Sequence, residues 1–218
     1  MALSEQTRAE AAELAARYPQ ARSALLPMLH LVQSEEGYVT PAGIALCAEV
    51  LDLTTAEVSA VATFYTMYKR RPVGKHHIGV CVNTMCAVLG GDALWAAVSE
   101  RLGIGHEESD ESGTFSAERI ECQAACTHGP VMTVDWEFFD QVGIEEAIAI
   151  IDRLEAGESV VPTRGAEIRD FRSTERTLAG FDDGRAGEGP AADDFMLAGL
   201  QRARELGQQA PAPRRKGN

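Results

Sequence analysis

No stretch of this sequence approaches the ~20 consecutive apolar residues that a membrane-spanning helix requires. Direct membrane insertion is therefore not expected. The opening residues, M-A-L-S-E-Q-T-R-A-E, also lack the charged-then-apolar layout of a secretory signal, so the expected location is the cytoplasm or an equivalent compartment. Positive charge is short as well: 20 Lys and Arg stand against 33 Asp and Glu, a net charge of −13. Such a balance repels nucleic acid and anionic lipid surfaces. Nucleotide signatures are missing too, since no G-x-G-x-x-G follows a strand-like run and no P-loop occurs. Cysteine is sparse, with five in 218 residues. In a reducing compartment such a set points to metal binding or redox chemistry rather than to a disulfide framework.

What is present begins with helices. From Glu5 to Tyr68, apolar residues recur at i, i+3, i+4 and i+7: Leu25, Met28, Leu29 and Val32, then Ile44, Cys47, Ala48 and Leu51, then Val58, Val61, Ala62 and Tyr65. Start signals agree with this spacing. Thr40 can cap a helix that has Pro41 at its first position, and Thr54 with Glu57 fits a capping box. Pro19 should stop the first helix, while Pro27 lies close to a start near Ser23. Residues 1–71 thus read as an N-terminal helical domain.

Pro72 and Gly74 then break the pattern, and a domain boundary is placed here. Residues 72–157 read as β-α-β-β-β-α, with strands at Ile78–Val82, Thr114–Glu121, P-V-M-T-V and W-E-F-F. One helix carries Leu94, Ala97, Val98 and Leu102 on a face, and another Ile144, Ala147, Ile148, Ile151 and Leu154. The fold class expected is α+β, a small sheet covered by helices. Residues 158–218 form an irregular tail that builds no core of its own, either a solvated linker or a partner-docking arm. Within it, A-A-D-D-F-M-L-A-G-L can open a short helix.

Four cysteines carry the chemistry. Cys81 and Cys86 form C-x4-C, and Cys122 and Cys126 form C-x3-C; each pair starts at the end of an expected strand and continues into the following loop. Neighbouring parallel or mixed strands would bring both loops to one sheet edge, where four sulfurs could meet. Structural zinc favours tight knuckles around one ion, whereas a [2Fe–2S] rhomb needs two thiolates on each of two irons and suits two wider loops. Amides of Asn83, Thr84 and Met85, and of Gln123, Ala124 and Ala125, would be placed to point at the cluster's sulfurs. The spacing favours iron–sulfur and leaves zinc open. Cys126-Thr127-His128 is half of a Rieske motif, but no second half follows, so His128 reads as a loop residue or a donor behind the ligands. Neither pair has the C-x-x-C spacing of a thiol–disulfide enzyme. Cys47 lies in a helical apolar stripe and reads as a small buried hydrophobe, dispensable for metal binding.

With these residues in view, the chain resembles the NuoE-type subunit of NADH:quinone oxidoreductase, respiratory complex I. The resemblance rests on L-L-P-M-L-H-L-V-Q-S-E-E-G-Y-V-T-P, A-T-F-Y-T-M-Y, G-V-C-V-N-T-M-C and E-C-Q-A-A-C-T-H-G-P-V-M-T-V-D, in order, between about Ala21 and Leu154. It implies a thioredoxin-like ferredoxin domain after a helical region that clasps a flavoprotein. It also implies one [2Fe–2S] cluster on Cys81, Cys86, Cys122 and Cys126, with the family's T-F-Y segment at Thr63, Phe64 and Tyr65. FMN and NADH would sit on the flavoprotein partner, and a large iron–sulfur subunit would complete the neighbourhood, in a peripheral arm on the cytoplasmic side of the inner membrane. Hydride delivers two electrons and a cluster takes one, so a flavin on another subunit must intervene. Related subunits serve NAD-linked hydrogenases and formate dehydrogenases, and a zinc-stabilised structural adaptor is the reading without redox chemistry. Asp135, Trp136 and His128 stand where family members often have Asn or Gly, positions expected to bear on the cluster's potential.

Overall fold

The computed structural model describes residues 3–210, and positions 211–218 of the expected tail lie outside the described residues. Four helices come first: α1 (Glu5–Ala16), α2 (Leu25–Glu36), α3 (Pro41–Leu51) and α4 (Thr55–Phe64). Their ends follow the local chemistry. Thr40 accepts the Gly43 N–H with Pro41 at the first helical position, and Thr54 and Glu57 close a reciprocal capping box. α1 stops at Ala16, before Pro19. A 3-10 turn over Ala21–Ala24 delays the start of α2 to Leu25, which leaves Pro27 in the first turn, where its missing N–H costs nothing. The apolar stripes meet in one core that includes Leu14, Met28, Leu29, Val32, Cys47, Leu51 and Val58.

The second half contains a five-stranded sheet in the order β2-β3-β1-β4-β5, formed by β1 (His76–Cys81), β2 (Glu108–Ser109), β3 (Phe115–Ile120), β4 (Val131–Val134) and β5 (Glu137–Asp140). β1 and β3 run parallel and the other pairs are antiparallel. Between β1 and β2 lie α5 (Thr84–Val88) and α6 (Gly91–Leu102), and α7 (Ile144–Glu155) follows β5. Alternation divides the strands between two faces. Ile78, Val80, Phe115, Ala117, Met132 and Val134 join Leu94, Val98, Ala147 and Ile151 in the main core. His77, Ser116, Glu118 and Thr133 are buried polar residues on the intervening positions.

That polar set is joined to the helical half. Lys69, after α4, places Nζ 2.6 Å from Glu118 Oε1, and its backbone N–H donates to Gln33 Oε1 of α2 at 2.6 Å. Among the described residues after Gly157 no separate core forms; the segment lends side chains to the two already made. Val160 and Ile168 join the sheet core, and Ala179 joins the helical one. Helix α8 (Phe171–Leu178) lies against α2, with Phe171 fully buried. Arg176 of α8 makes a bidentate pair with Glu10 of α1. The last helix, α9 (Asp194–Glu205), has no buried side chain.

Candidate metal centre

The parallel pairing of β1 and β3 decides where the cysteines go. Cys81 stands opposite Ile120, and the next backbone bond, Val82 N–H to Ile120 C=O at 3.0 Å, keeps the strands together as they end. Parallel strands end on the same side, so the loop after Cys81 and the loop that begins near Cys122 leave the sheet together. A second contact joins them farther along. A methyl group added at Gly129, just past Cys126, would sit 3.4 Å from Cys86 Sγ and 3.0 Å from Leu89 Cδ1.

Cys86 lies within the short helix α5 rather than in an open loop. Asn83 starts that helix by accepting the Thr84 N–H at 2.8 Å. Sequence pattern did not reveal it, because five residues are too few to show a helical period. The start of α6 then approaches closely: an added Cβ at Gly91 would lie 2.6 Å from the Cys81 carbonyl oxygen and 2.9 Å from that of Cys86. Glycine is what lets a helix seat directly on the first cysteine pair.

Cys81 and Cys86 are buried with Ala125, Val131 and the flank of Phe138, while Cys122 and Cys126 are exposed. Burial pushes the Cys86 thiol up to about 11, the adjoining Cys81 and the nearby Cys126 add to the rise, and the Val131 backbone N–H opposes it. Cys81 and Cys86 thus share one apolar neighbourhood, which the second cysteine loop approaches at Gly129. Cys122 is exposed, its Sγ accepting the Ala124 N–H at 3.3 Å. Among the described residues, no three His, Cys, Asp or Glu side chains surround a single point as one metal ion would require.

The amide donors differ from expectation in part. Ala124 does address a cysteine sulfur, but the Thr84 N–H is spent on Asn83. Val131, on β4, packs against Cys81 and Cys86, a neighbour that only the tertiary arrangement supplies. Cys47 lies in the helical core, and burial pushes its thiol to about 12. It takes no part in this neighbourhood. Thr63 and Phe64 close α4 and Tyr65 follows it, with Phe64 77 % exposed.

Asp135 and Trp136 lie elsewhere. They form the β4–β5 turn, both with positive φ (51° and 71°), the conformation in which Asn and Gly are favoured. Val134 pairs with Ile78, so this turn sits at the opposite end of β1 from Cys81, roughly 10 Å or more away at ~3.3 Å per residue. Asp135 accepts from the His77 N–H at 2.7 Å and pairs with His76 Nδ1 at 2.7 Å. Of the three departures singled out in the sequence, only His128 is beside the cysteines.

The donor set fits an iron–sulfur centre: four soft thiols in two pairs, two of them in an apolar pocket, with a backbone N–H aimed at the sulfur of Cys122. The sequence model of the thioredoxin-like [2Fe-2S] ferredoxins matches residues 11–155. An NADH-quinone oxidoreductase subunit of Mycobacterium bovis is 53 % identical over 203 residues, covering 93 % of this chain and 81 % of that protein. An NADH-quinone oxidoreductase subunit of Thermus thermophilus is 37 % identical over 149 residues, covering 67 % and 82 %. An NAD+-reducing [NiFe]-hydrogenase structure superposes with a TM-score of 0.53 at 18 % identity, over 61 % of this chain and 23 % of the hydrogenase chain, a likeness of fold alone. Family match, long high-identity relatives and paired thiols lead to one conclusion: this chain belongs to the thioredoxin-like [2Fe-2S] ferredoxin family, in its NuoE-type group of NADH-quinone oxidoreductase subunits.

Proposed function

We propose that Cys81, Cys86, Cys122 and Cys126 hold one [2Fe–2S] cluster, and that the chain is the electron-transfer subunit beside the FMN- and NADH-binding flavoprotein of a proton-translocating NADH-quinone oxidoreductase. The observation that carries this reading is the parallel β1–β3 pair, which delivers both cysteine loops to one end of the sheet. A bound cluster would accept and return single electrons, the chemistry a hydride donor lacks and a flavin bridges.

The chain's own residues supply the rest. Cys81 and Cys86 anchor one side in a dry pocket, while the exposed Cys122 and Cys126 leave the other side open to a partner. Met85, Val88 and Leu89 of the α5 segment are exposed apolar residues beside Cys86, with Val88 at 77 %. An apolar rim around a redox site suits close approach of a second protein. The flavoprotein and the large iron–sulfur subunit are the proposed neighbours, in a peripheral arm on the cytoplasmic side of the membrane. No helix among the described residues is long and apolar enough to cross a membrane. The net charge of −13 pushes the potential of an anionic cluster downward.

Anaerobic purification tests the reading. Iron and acid-labile sulfide should appear in equal amounts, and dithionite should produce a half-integer-spin EPR signal that Cys86→Ser and Cys122→Ser abolish. One zinc per chain without sulfide would establish the structural adaptor instead. Co-purification identifies the owner: a quinone-reducing membrane arm supports the assignment, and a hydrogenase or formate dehydrogenase centre overturns it.

A further inference from the structure

His128 follows Cys126 by two positions and is buried, although Cys126 and Thr127 before it are exposed. What covers it arrives from 65 residues farther along the chain: Asp193 Oδ2 lies 2.8 Å from His128 Nε2. The Phe195 ring stands 5.8 Å from the imidazole, edge toward face. On the other side of the ring, Thr127 Oγ1 lies 2.8 Å from Nδ1. A neutral ring satisfies both contacts, donating from Nε2 to the carboxylate and accepting at Nδ1 from the Thr127 hydroxyl.

The backbone of His128 is held as firmly. Its N–H donates to the Ala125 carbonyl at 2.9 Å, and its carbonyl accepts the Gln141 N–H at 2.8 Å. A pull on the ring is therefore a pull on the turn that carries Cys126. Asp193 serves two ends at once, because its Oδ1 accepts the Met196 N–H at 2.8 Å and so caps α9. Since α9 buries none of its side chains, this junction is where the helix meets the cysteine loop.

We propose that α9 is a clasp on the second cysteine loop: Asp193 is a positioning residue that holds His128, and through it the turn bearing Cys126, in place around the cluster. The inference rests on the reading of Cys126 as a ligand. Without the clasp, the imidazole becomes solvent-exposed and the 122–128 loop keeps fewer anchors, so a ligand on that loop leaves more readily. Groups that support metal ligands from behind commonly change affinity by about 10- to 100-fold when removed.

The test uses the full chain with its cluster. Asp193→Ser retains a good helix cap and shortens the side chain beyond reach of His128. It should speed cluster bleaching by a chelator about tenfold, shift the EPR spectrum of the reduced cluster, and raise amide exchange over 123–129. Asp193→Ser combined with His128→Asn should be no faster than the faster single variant, because both remove one contact. Asp170→Ser, a matched change in the cap of α8, should leave the EPR spectrum where it was. An Asp193→Ser protein that keeps its cluster at the unsubstituted rate with an unshifted spectrum overturns the clasp. If the unsubstituted chain carries no cluster, the ligand reading fails, and exchange over 123–129 in the metal-free chain still decides: unchanged protection in Asp193→Ser rejects the clasp.

Discussion

The indole Nε1–H of Trp136 donates to Glu175 Oε1 at 2.7 Å, joining the β4–β5 turn to α8. The second oxygen of this fully buried carboxylate lies 2.6 Å from His30 Nδ1 on α2, and the ammonium of Lys69 sits 4.9 Å from the centre of the indole ring. Sheet, first helices and tail thus meet on one charged group. Trp136→Phe should cost about 1–3 kcal/mol, the usual penalty for leaving a buried polar atom unpaired. Urea unfolding measures it, and an unchanged midpoint would mean that His30 alone satisfies Glu175.

Glu118 sets an acid limit. Burial raises its carboxyl, but the His77 ring and the Lys69 ammonium beside it outweigh burial and hold it at about 2. The folded value lies below the ordinary 4.5, so this stabilisation is complete above about pH 4.5 and fades as pH falls toward 2. Stability measured from pH 6 downward should fall through that window. Glu118→Gln, though less stable at neutral pH because Lys69 loses its partner, should show a shallower acid slope; an identical slope would remove Glu118 from the explanation.

The cysteines should separate by reactivity. Cys122 and Cys126 are exposed, whereas the Cys47 thiol is buried and pushed to about 12. In metal-free protein, alkylation at pH 8 should reach the exposed pair first and Cys47 last, as mass spectrometry of timed digests would record. Cys47→Ala should leave iron and sulfide content unchanged. Loss of cluster from Cys47→Ala would show that the helical core reaches the cysteine loops through the Lys69 and Glu175 contacts that join the two halves.

Gly91 is the tightest contact behind the first cysteine pair. Gly91→Ala forces a methyl against the carbonyls of Cys81 and Cys86, so α6 must move off the loop, at a cost of about 1–3 kcal/mol. Cluster retention should fall with it. Gly143→Ala is the control, because an added Cβ there meets nothing within 4 Å. Equal behaviour of the two variants would show that α6 has room to yield.

Much of the local structure was written in short-range chemistry. Thr40 with Pro41, Thr54 with Glu57, and the stripes through Met28, Cys47 and Val58 announce α2, α3 and α4, because caps and helical periods act within a turn or two. The C-x4-C and C-x3-C pairs at the ends of strand-like runs point to a soft-metal site, favouring iron–sulfur and leaving zinc open. The two-residue β2 and the five-residue α5 escaped, being too short to carry a period. The tail is a different case: its composition leaves a solvated linker and a docking arm both open, and Glu175 within it is fully buried.

The chain by itself therefore determined where its paired thiols fall, how they are spaced, and where most helices start, since each of those depends on neighbours in sequence. Only the tertiary structure decided that β1 and β3 run parallel, so that Cys81 and Cys122 leave the sheet on the same side. It alone brought Val131 to Cys86 and Asp193 to His128, and it put Asp135 and Trp136 at the far end of the sheet. Those outcomes follow from strand pairing and the burial of charge against charge, which join residues tens of positions apart and leave no period in the sequence.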